Sequence, residues 1–332
     1  MSNEMTLLDV VAECDNFPYP TEPSYAHTIP HLWRFVHVSP TSVTALGYVT
    51  PPVVLAIQEL PPHLSTLLSI DTSHQTISLI ADTSTTRSEA LSSILKHWRD
   101  HQTFSVLLGW RDERYAIYCP SGTLFASIER AAAPLFGVIA YCVYLICYTS
   151  TKSKSGESDE PELKIWVSQR SKSKQTYAGM YDVTVAGAMV DTDSSALECM
   201  VREAGEEASL SEDVVKERAR EIGRVNYFGV SDGLEEHAGG ERGLCCPEVG
   251  TVFEMYVEEG RGMRPGDGEV LGFELRSVDE VKGMLRRGMF KGNSGAVLVD
   301  WLRGRGLLNE ERDSEVLEVE RRMRRELEFP IM

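Results

Sequence analysis

Positive charge is in short supply in this chain. Its 332 residues carry 33 lysines and arginines against 50 aspartates and glutamates, a formal net charge of −17. Phosphate backbones attract basic surfaces, so nucleic acid is excluded as a main partner. Small phosphorylated compounds stay open, because bound divalent cations invert the local sign of an acidic site. A disulfide framework is also missing. The seven cysteines, at 14, 119, 142, 147, 199, 245 and 246, are odd in number, show no zinc-ribbon spacing and lie mostly in apolar surroundings. They read as free thiols of a reducing compartment, which predicts a cytoplasmic protein. The adjacent Cys245 and Cys246 carry no specific redox or ligand signal. No cationic stretch precedes an apolar one in "MSNEMTLLDVVAECDNF", so no secretory leader is expected. There is no internal repeat, and "GERGLCCPEVG" lacks the Gly-Lys-Ser/Thr ending of a phosphate loop and reads as an ordinary loop.

A clean membrane span is absent as well. "AAAPLFGVIAYCVYLICYT", residues 131–149, is uncharged and approaches the ~20 residues of a spanning helix. Pro134 and Gly137 break it early, and β-branched and aromatic residues fill the rest. The run predicts a short turn and then a buried strand over 138–148, with no membrane partner.

What is present suits packed cores: 42% hydrophobic and 25% charged residues. The length suggests two domains, 1–130 and 131–332. The first alternates short apolar runs with proline-rich breaks, a mixed α/β pattern. "LGYVTPPVVLAI" ends a strand at a proline pair. "RSEALSSILKHWRDH" is a helix with Ala90, Leu91, Ile94, Leu95 and Trp98 on one side. "GWRDERYAIY" turns into a strand, and "TLFASIERAAAPLFG" connects to the second domain. There the polar "TSTKSKSGESDEPE" is expected to be a mobile loop, and "LKIWVSQRS" and "YDVTVAGAMV" are strands. "VVKERAREIGRV" reads as a helix and "GTVFEMYVEE" as a strand. "SVDEVKGMLRRGMF" is a helix capped by Ser277 with Glu280 three residues on. "NSGAVLVDWLRGRGLL" and "SEVLEVERRMRREL" close the chain as helices.

The densest chemistry lies in "AMVDTDSSALECMVREAGEEASL", residues 188–210. If residues 195–208 are helical, Leu197, Met200, Val201, Ala204 and Ala208 form an apolar stripe for packing on a sheet. Glu203, Glu206 and Glu207 then converge on a neighbouring face. Like charges at those spacings cost a helix roughly 0.2–0.5 kcal/mol per pair. A solvated face accepts that cost without any function. Hard cations between the oxygens would turn it to use, since Mg²⁺ prefers carboxylates, phosphate oxygens and water.

The context of strand, small-residue loop, amphipathic helix and Arg202 just before the first acid resembles the Nudix hydrolase signature. Its second half is matched by Arg202, Glu203, Ala204, Glu206, Glu207 and Leu210. The resemblance implies that the helix carboxylates hold Mg²⁺ or Mn²⁺ against a diphosphate, where a metal-polarised water attacks phosphorus. The first half departs: the signature's glycine falls on Ala188, its first glutamate on Ser194 and its late glycine on Ser209. Gly187 and Asp193, one residue earlier, keep the proper mutual spacing. Altered loop geometry and weakened or retuned activity are therefore expected, with a one-residue shift as the alternative.

"WVSQRSKSKQTYAGMYDVTVAGAM" is similar to Nudix proteins related to the N-terminal part of fungal thiamine pyrophosphokinases, with Ala178 and Tyr181 where that group has Pro and Leu. "GWRDERYAIY", "IERAAAPLFGV", "DGEVLGFELRSVDEV" and "RRMRRELEFP" resemble the same group, and no kinase domain is expected after Met332. The resemblance implies an α/β (α+β) protein: a smaller mixed α/β accessory domain, then a Nudix α/β/α sandwich with a mixed sheet. It implies hydrolysis of damaged thiamine diphosphates, the oxo and oxy forms, to monophosphates. Arg170 and Lys174 are then candidate phosphate contacts, one a planar fork and the other a point charge, though a solvated loop explains both nearly as well. Glu269 is a candidate extra ligand or general base. Two rival functions stay open: a pyrophosphatase for oxidised nucleotides, and a binding or regulatory module that has lost turnover. The expected partner is a small phosphorylated substrate, and the expected state a monomer or homodimer. His97 and His101 have zinc-like i, i+4 spacing without a third ligand. Trp110 and Trp33 are candidates for ring stacking, with burial in the core the simpler role.

Overall fold

Proline placement sets the first architecture of the chain. In the computed structural model, which describes residues 4–151, 162–234, 240–258, 262–308 and 313–332, the proline pair after the strand-like run opens a helix, Pro51–Gln58. Proline's fixed φ suits the first helical turn, whose N–H groups have no intrahelical partner. Around that helix lie β1 (Trp33–Val38), β2 (Val43–Val49), β3 (Leu68–Asp71) and β4 (Thr76–Leu79), paired in the order β2-β1-β4-β3. The helix Ser84–Asp100 is opened by a reciprocal Thr83/Thr86 cap and buries Ala90, Leu91, Ile94, Leu95 and Trp98, the side expected of it. A hairpin of β5 (Arg114–Tyr118) and β6 (Leu124–Glu129) follows. The stretch expected as a connection thus contains a strand: Phe125, Ala126 and Ile128 are buried, so its apolar residues were core.

The second part is organised by β7 (Ala140–Thr151). With β8 (Glu162–Arg170), β9 (Tyr181–Asp182), β10 (Val185–Ala188), β11 (Arg220–Asp232), β12 (Arg242–Tyr256) and β13 (Val270–Ser277) it forms a seven-stranded sheet. The order is β11-β12-β7-β8-β13, with β10 on β7 and β9 on β8. β12 and β7 run parallel and the other pairs antiparallel, so the sheet is mixed. Side chains alternate along β7. Tyr141, Val143, Leu145 and Cys147 join one apolar cluster with Cys199, Met200 and Ala204 of the helix Ala196–Ala208. Cys142, Tyr144 and Ile146 join the other, with Val297, Leu298 and Trp301 of the helix Gly292–Gly304. Helices on both faces of a mixed sheet make the expected α/β/α sandwich. Full burial of each such aliphatic side chain contributes about 1.5–3 kcal/mol.

Two local readings are corrected. The helix over "VVKERAREIGRV" ends at Arg218, and Arg220 begins β11. β11 is an edge strand, so its charged residues face water and hide the alternation. "GERGLCCPEVG" is mostly the start of β12 rather than a loop, with Cys245 buried in the sheet. The uncharged run at 131–149 becomes a short helix (Ala133–Phe136), a left-handed Gly137 at φ 59° and β7. Among the described residues no helix is long and apolar enough to cross a membrane. The polar run at 152–161 lies outside the described residues.

Both chain ends knit onto the sandwich. The helix Leu7–Ala12 packs on the helices Val278–Arg286, Gly292–Gly304 and Asp313–Met323. Phe17 stacks on Phe228 at 4.0 Å, and the Arg325 guanidinium donates to the fully buried Asp15 carboxylate at 3.0 Å.

Candidate active site

The helix Ala196–Ala208 starts where the Ser195 hydroxyl accepts from the Glu198 N–H at 3.1 Å. It buries Cys199, Met200, Ala204, Glu207 and Ala208, whereas Leu197 is 38% exposed and Val201 only half-buried. Relative to the expected stripe, the helix is rolled so that Glu207 points inward. Its carboxylate accepts from the Ala186 N–H of β10 at 3.1 Å. Burial, with Asp182 and Glu203 nearby, pushes the Glu207 carboxyl up to about 8. Burial also raises Glu203, against the opposing pull of Arg202. Glu206, on the outer turn, stays half exposed.

Arg202 binds all sides of this cluster. One guanidinium nitrogen donates to Glu203 at 2.8 Å and Glu206 at 3.3 Å, and another to Asp193 at 3.0 Å. Asp193 is nearly buried and also accepts from the Val190 N–H at 2.9 Å, so it anchors the loop to the helix. Ser194 does neither. Its N–H and hydroxyl donate to Glu198. The glycine requirement likewise falls on Gly187, where a Cβ would lie 2.1 Å from the Glu203 side chain. Ala188 is an ordinary strand residue opposite Cys142. These contacts, made by Gly187 and Asp193 and not by Ala188 and Ser194, accord with the one-residue shift, with one extra residue before Arg202 taken up in the loop. Ser209 does hold a left-handed backbone, at φ 52°, where the signature has glycine.

The donor set suits a hard divalent cation, since it is all carboxylate and the buried Glu207 lies beside the largely buried Glu203 at an electrostatic cost that a cation relieves. Among the described residues no three His, Cys, Asp or Glu side chains converge as ready ligands, because Glu203 and Glu206 are turned onto Arg202.

A cleft of about 200 Å³ opens over these residues, and every predicted site residue lines it: Arg170, Lys174, Arg202, Glu203, Glu206, Glu207 and Glu269. Seven carboxylates and six cationic side chains line it, so one divalent cation is enough to make it an anion receptor. Lys174 pairs with Glu269, and burial together with Arg170 lowers its ammonium to about 8. Arg170 is less free than a phosphate contact would be. It donates to Asp182 at 3.1 Å and to the carbonyls of Tyr177 (3.2 Å) and Thr176 (3.0 Å), which ties down the loop that carries Lys174.

Sequence reasoning missed Arg111, Arg130, Glu248, Lys291 and Asn293, which also line the cleft. They come from four separate stretches and belong to no motif. Glu248 accepts from the hydroxyls of Tyr144 and Tyr227 and from Asn293 at 3.4 Å. The other candidates fall away. Trp110 and Trp33 do not line the cleft; Trp110 donates to Asp112 and carries Arg99 on its face. His97 and His101 lie 4.1 Å apart at an exposed helix end, with His101 turned onto the His97 carbonyl. Cys245 and Cys246 are free thiols whose burial raises their pKa values, the opposite of a reactive pair.

Residues 42–140 match a family model described as a domain of unknown function, DUF4743. An uncharacterized protein of Saccharomyces cerevisiae is 30% identical over 248 residues, 74% of this chain and 70% of that protein. Nudix hydrolase 20, chloroplastic, of Arabidopsis thaliana is 30% identical over 255 residues, 75% of this chain. Nudix hydrolase 24, chloroplastic, of the same plant is 30% identical over 254 residues, 76% of this chain. The chain spans 61% and 63% of the length of these two plant proteins. Over about three quarters of its length the chain is thus similar to these two plant Nudix hydrolases and to the yeast protein.

Proposed function

We propose that this cleft hydrolyses the diphosphate bond of a small organic diphosphate, using Mg²⁺ or Mn²⁺ held by Glu203, Glu206 and Glu207. The observation that carries the reading is a buried carboxylate, Glu207, and a largely buried one, Glu203, sharing one cleft with six cationic side chains. A bound divalent cation supplies charge neutralisation at the phosphates and a more acidic water. The chain's own residues do the rest. Glu203 and Glu206, now paired with Arg202, would be the residues to hold the cation, and Asp193 keeps the other edge of the guanidinium in place. Lys174 places a positive charge at the phosphates and keeps Glu269 oriented, so that Glu269 can take the proton from the attacking water. Water adds to phosphorus, the bridging P–O bond breaks, and monophosphate and inorganic phosphate leave.

The substrate class we favour is damaged thiamine diphosphate, the oxo and oxy forms. Support comes from the stretch "QRSKSKQT", which carries the resemblance to the thiamine pyrophosphokinase-related group and contributes Arg170, Lys174 and Thr176 to the cleft. Residues 1–130 act as an accessory domain in this reading, and a cytoplasmic location accords with seven unpaired cysteines. One observation favours a second reading, a binding module without turnover: Arg202 already satisfies two of the three helix glutamates.

Monophosphate product formed by the protein with Mg²⁺ or Mn²⁺, read by chromatography, separates the readings. The panel is oxo- and oxythiamine diphosphate, thiamine diphosphate, 8-oxo-dGTP, ADP-ribose and NADH. Preferential turnover of the thiamine analogues, lost in Glu206→Gln and Glu207→Gln, is the expected result. Equal rates in both variants remove the site assignment. Thermal stabilisation by a ligand without product replaces the enzyme by the binding module.

A further inference from the structure

The cation wall of the cleft is not built by the Nudix half alone. Arg111 and Arg130 reach it from the β5–β6 region, inside residues 42–140, which match a domain of unknown function. That hairpin is docked on the site: the Asp191 N–H donates to the Arg114 carbonyl at 2.7 Å, and the Arg114 and Asp191 side chains pair at 3.1 Å. The two arginines are held differently. Arg130 is clamped by Glu113 at 2.7 Å. Arg111 has no such clamp: among the described residues its guanidinium meets only the neutral Gln175 amide, at 3.5 Å. The buried carboxylate nearby, Glu129, is spent on the backbone N–H groups of Arg111 (3.0 Å) and Ala131 (3.4 Å). Half-buried, and crowded by Arg130 and Arg170, the Arg111 guanidinium loses proton affinity. Glu113 offsets part of this without pairing with it, and a planar fork held by no carboxylate in a cleft is stabilised once an anion enters.

We infer that the segment of unknown function completes the active site, with Arg111 as a fork that binds a phosphate of the substrate and Arg130 as its positioned neighbour. The inference rests on the diphosphate reading above and names the wall opposite the glutamate helix as the substrate's anchoring side. It also gives the N-terminal segment a role beyond covering the sheet: without it, the cleft would keep its metal-binding acids and lose part of its grip on phosphate.

The test is calorimetric titration of the full-length protein with inorganic pyrophosphate in chelator, so that binding is read without metal or turnover. The wild type is expected to bind, and Arg111→Gln to raise Kd on the order of tenfold or more, the scale of a charge-assisted contact. Arg111→Lys, which keeps charge and stem but loses the fork, should give an intermediate value and serves as the second variant if the glutamine form does not fold. Glu206→Gln should lose turnover yet bind pyrophosphate at least as tightly as the wild type. Unchanged affinity in both Arg111 variants, or no pyrophosphate binding by the wild type, overturns the inference while leaving metal-dependent hydrolysis to its own assay. Failure of hydrolysis with intact, Arg111-dependent binding overturns the enzyme reading instead.

Discussion

Gly187 and Glu203 share one space: a Cβ built on Gly187 would lie 2.1 Å from both the Cδ and the Cγ of Glu203. The strand and the helix approach so closely there that the glutamate lies across bare backbone. Gly187→Ala must therefore push Glu203 out of its place beside Arg202. The expected outcome is a large loss of turnover with a destabilisation of roughly 1–3 kcal/mol, as for overpacking elsewhere. Ala188→Gly, one residue on, removes a buried methyl from a regular strand and should lower stability without raising activity. Steady-state rates and thermal melts of the two variants check this; a fully active Gly187→Ala would refute the interlock.

Asp193 holds Arg202, and Ser194 does not. Asp193→Ala removes the ion pair that ties the loop to Arg202, and should both lower the melting temperature and cut kcat. Ser194→Glu places its acid on the wrong side of the loop and should not rescue or raise the rate. Activity gained by Ser194→Glu would mean that the loop runs in the register of the ordinary signature.

Ser209 closes the glutamate helix in the left-handed region, at φ 52° and ψ 33°. A side chain there costs about 1 kcal/mol that glycine avoids. Ser209→Gly is expected to stabilise the protein by about that amount with turnover unchanged, read from denaturant unfolding. A destabilised variant would show that the serine side chain contributes more than its backbone costs.

Glu207 links stability to pH in the metal-free protein. Its carboxyl is raised to about 8 by burial and by Asp182 and Glu203, against about 4.3 in an unfolded chain. Between those values the folded state holds a proton that the unfolded state has lost, so stability is fully present below the lower value and falls as pH rises through the upper one. Unfolding in chelator from about pH 5 to about pH 8 should show this fall, and Glu207→Gln should flatten it. Identical slopes in the two proteins would take Glu207 out of the account.

The helix from Ala196 to Ala208 was legible because its apolar and acidic residues recur at three and four, and because Ser195 is a good cap. Its facing was not. Leu197 and Val201 looked like core, yet Cys199 and Glu207 are the residues turned inward. Hydrophobicity alone ranks a glutamate outside; the backbone N–H of Ala186 receives Glu207 inside, and the gap at Gly187 receives Glu203. The strand from Arg220 was hidden for a related reason, since an edge position tolerates charges that break the alternation.

By itself the sequence determined the local periods, the caps, a buried strand over 138–148 and the run of acids on one helix, all of which depend on residues close together in the chain. The cleft depended on contacts no local pattern encodes. Arg111 and Arg130 from a hairpin, Glu248 from a sheet strand and Lys291 at a helix start meet the glutamates only after β10 and β12 have paired on either side of β7. Side-chain spacing is a property of one element, whereas opposition across a cleft is a property of how elements pack, and that was settled by the tertiary structure.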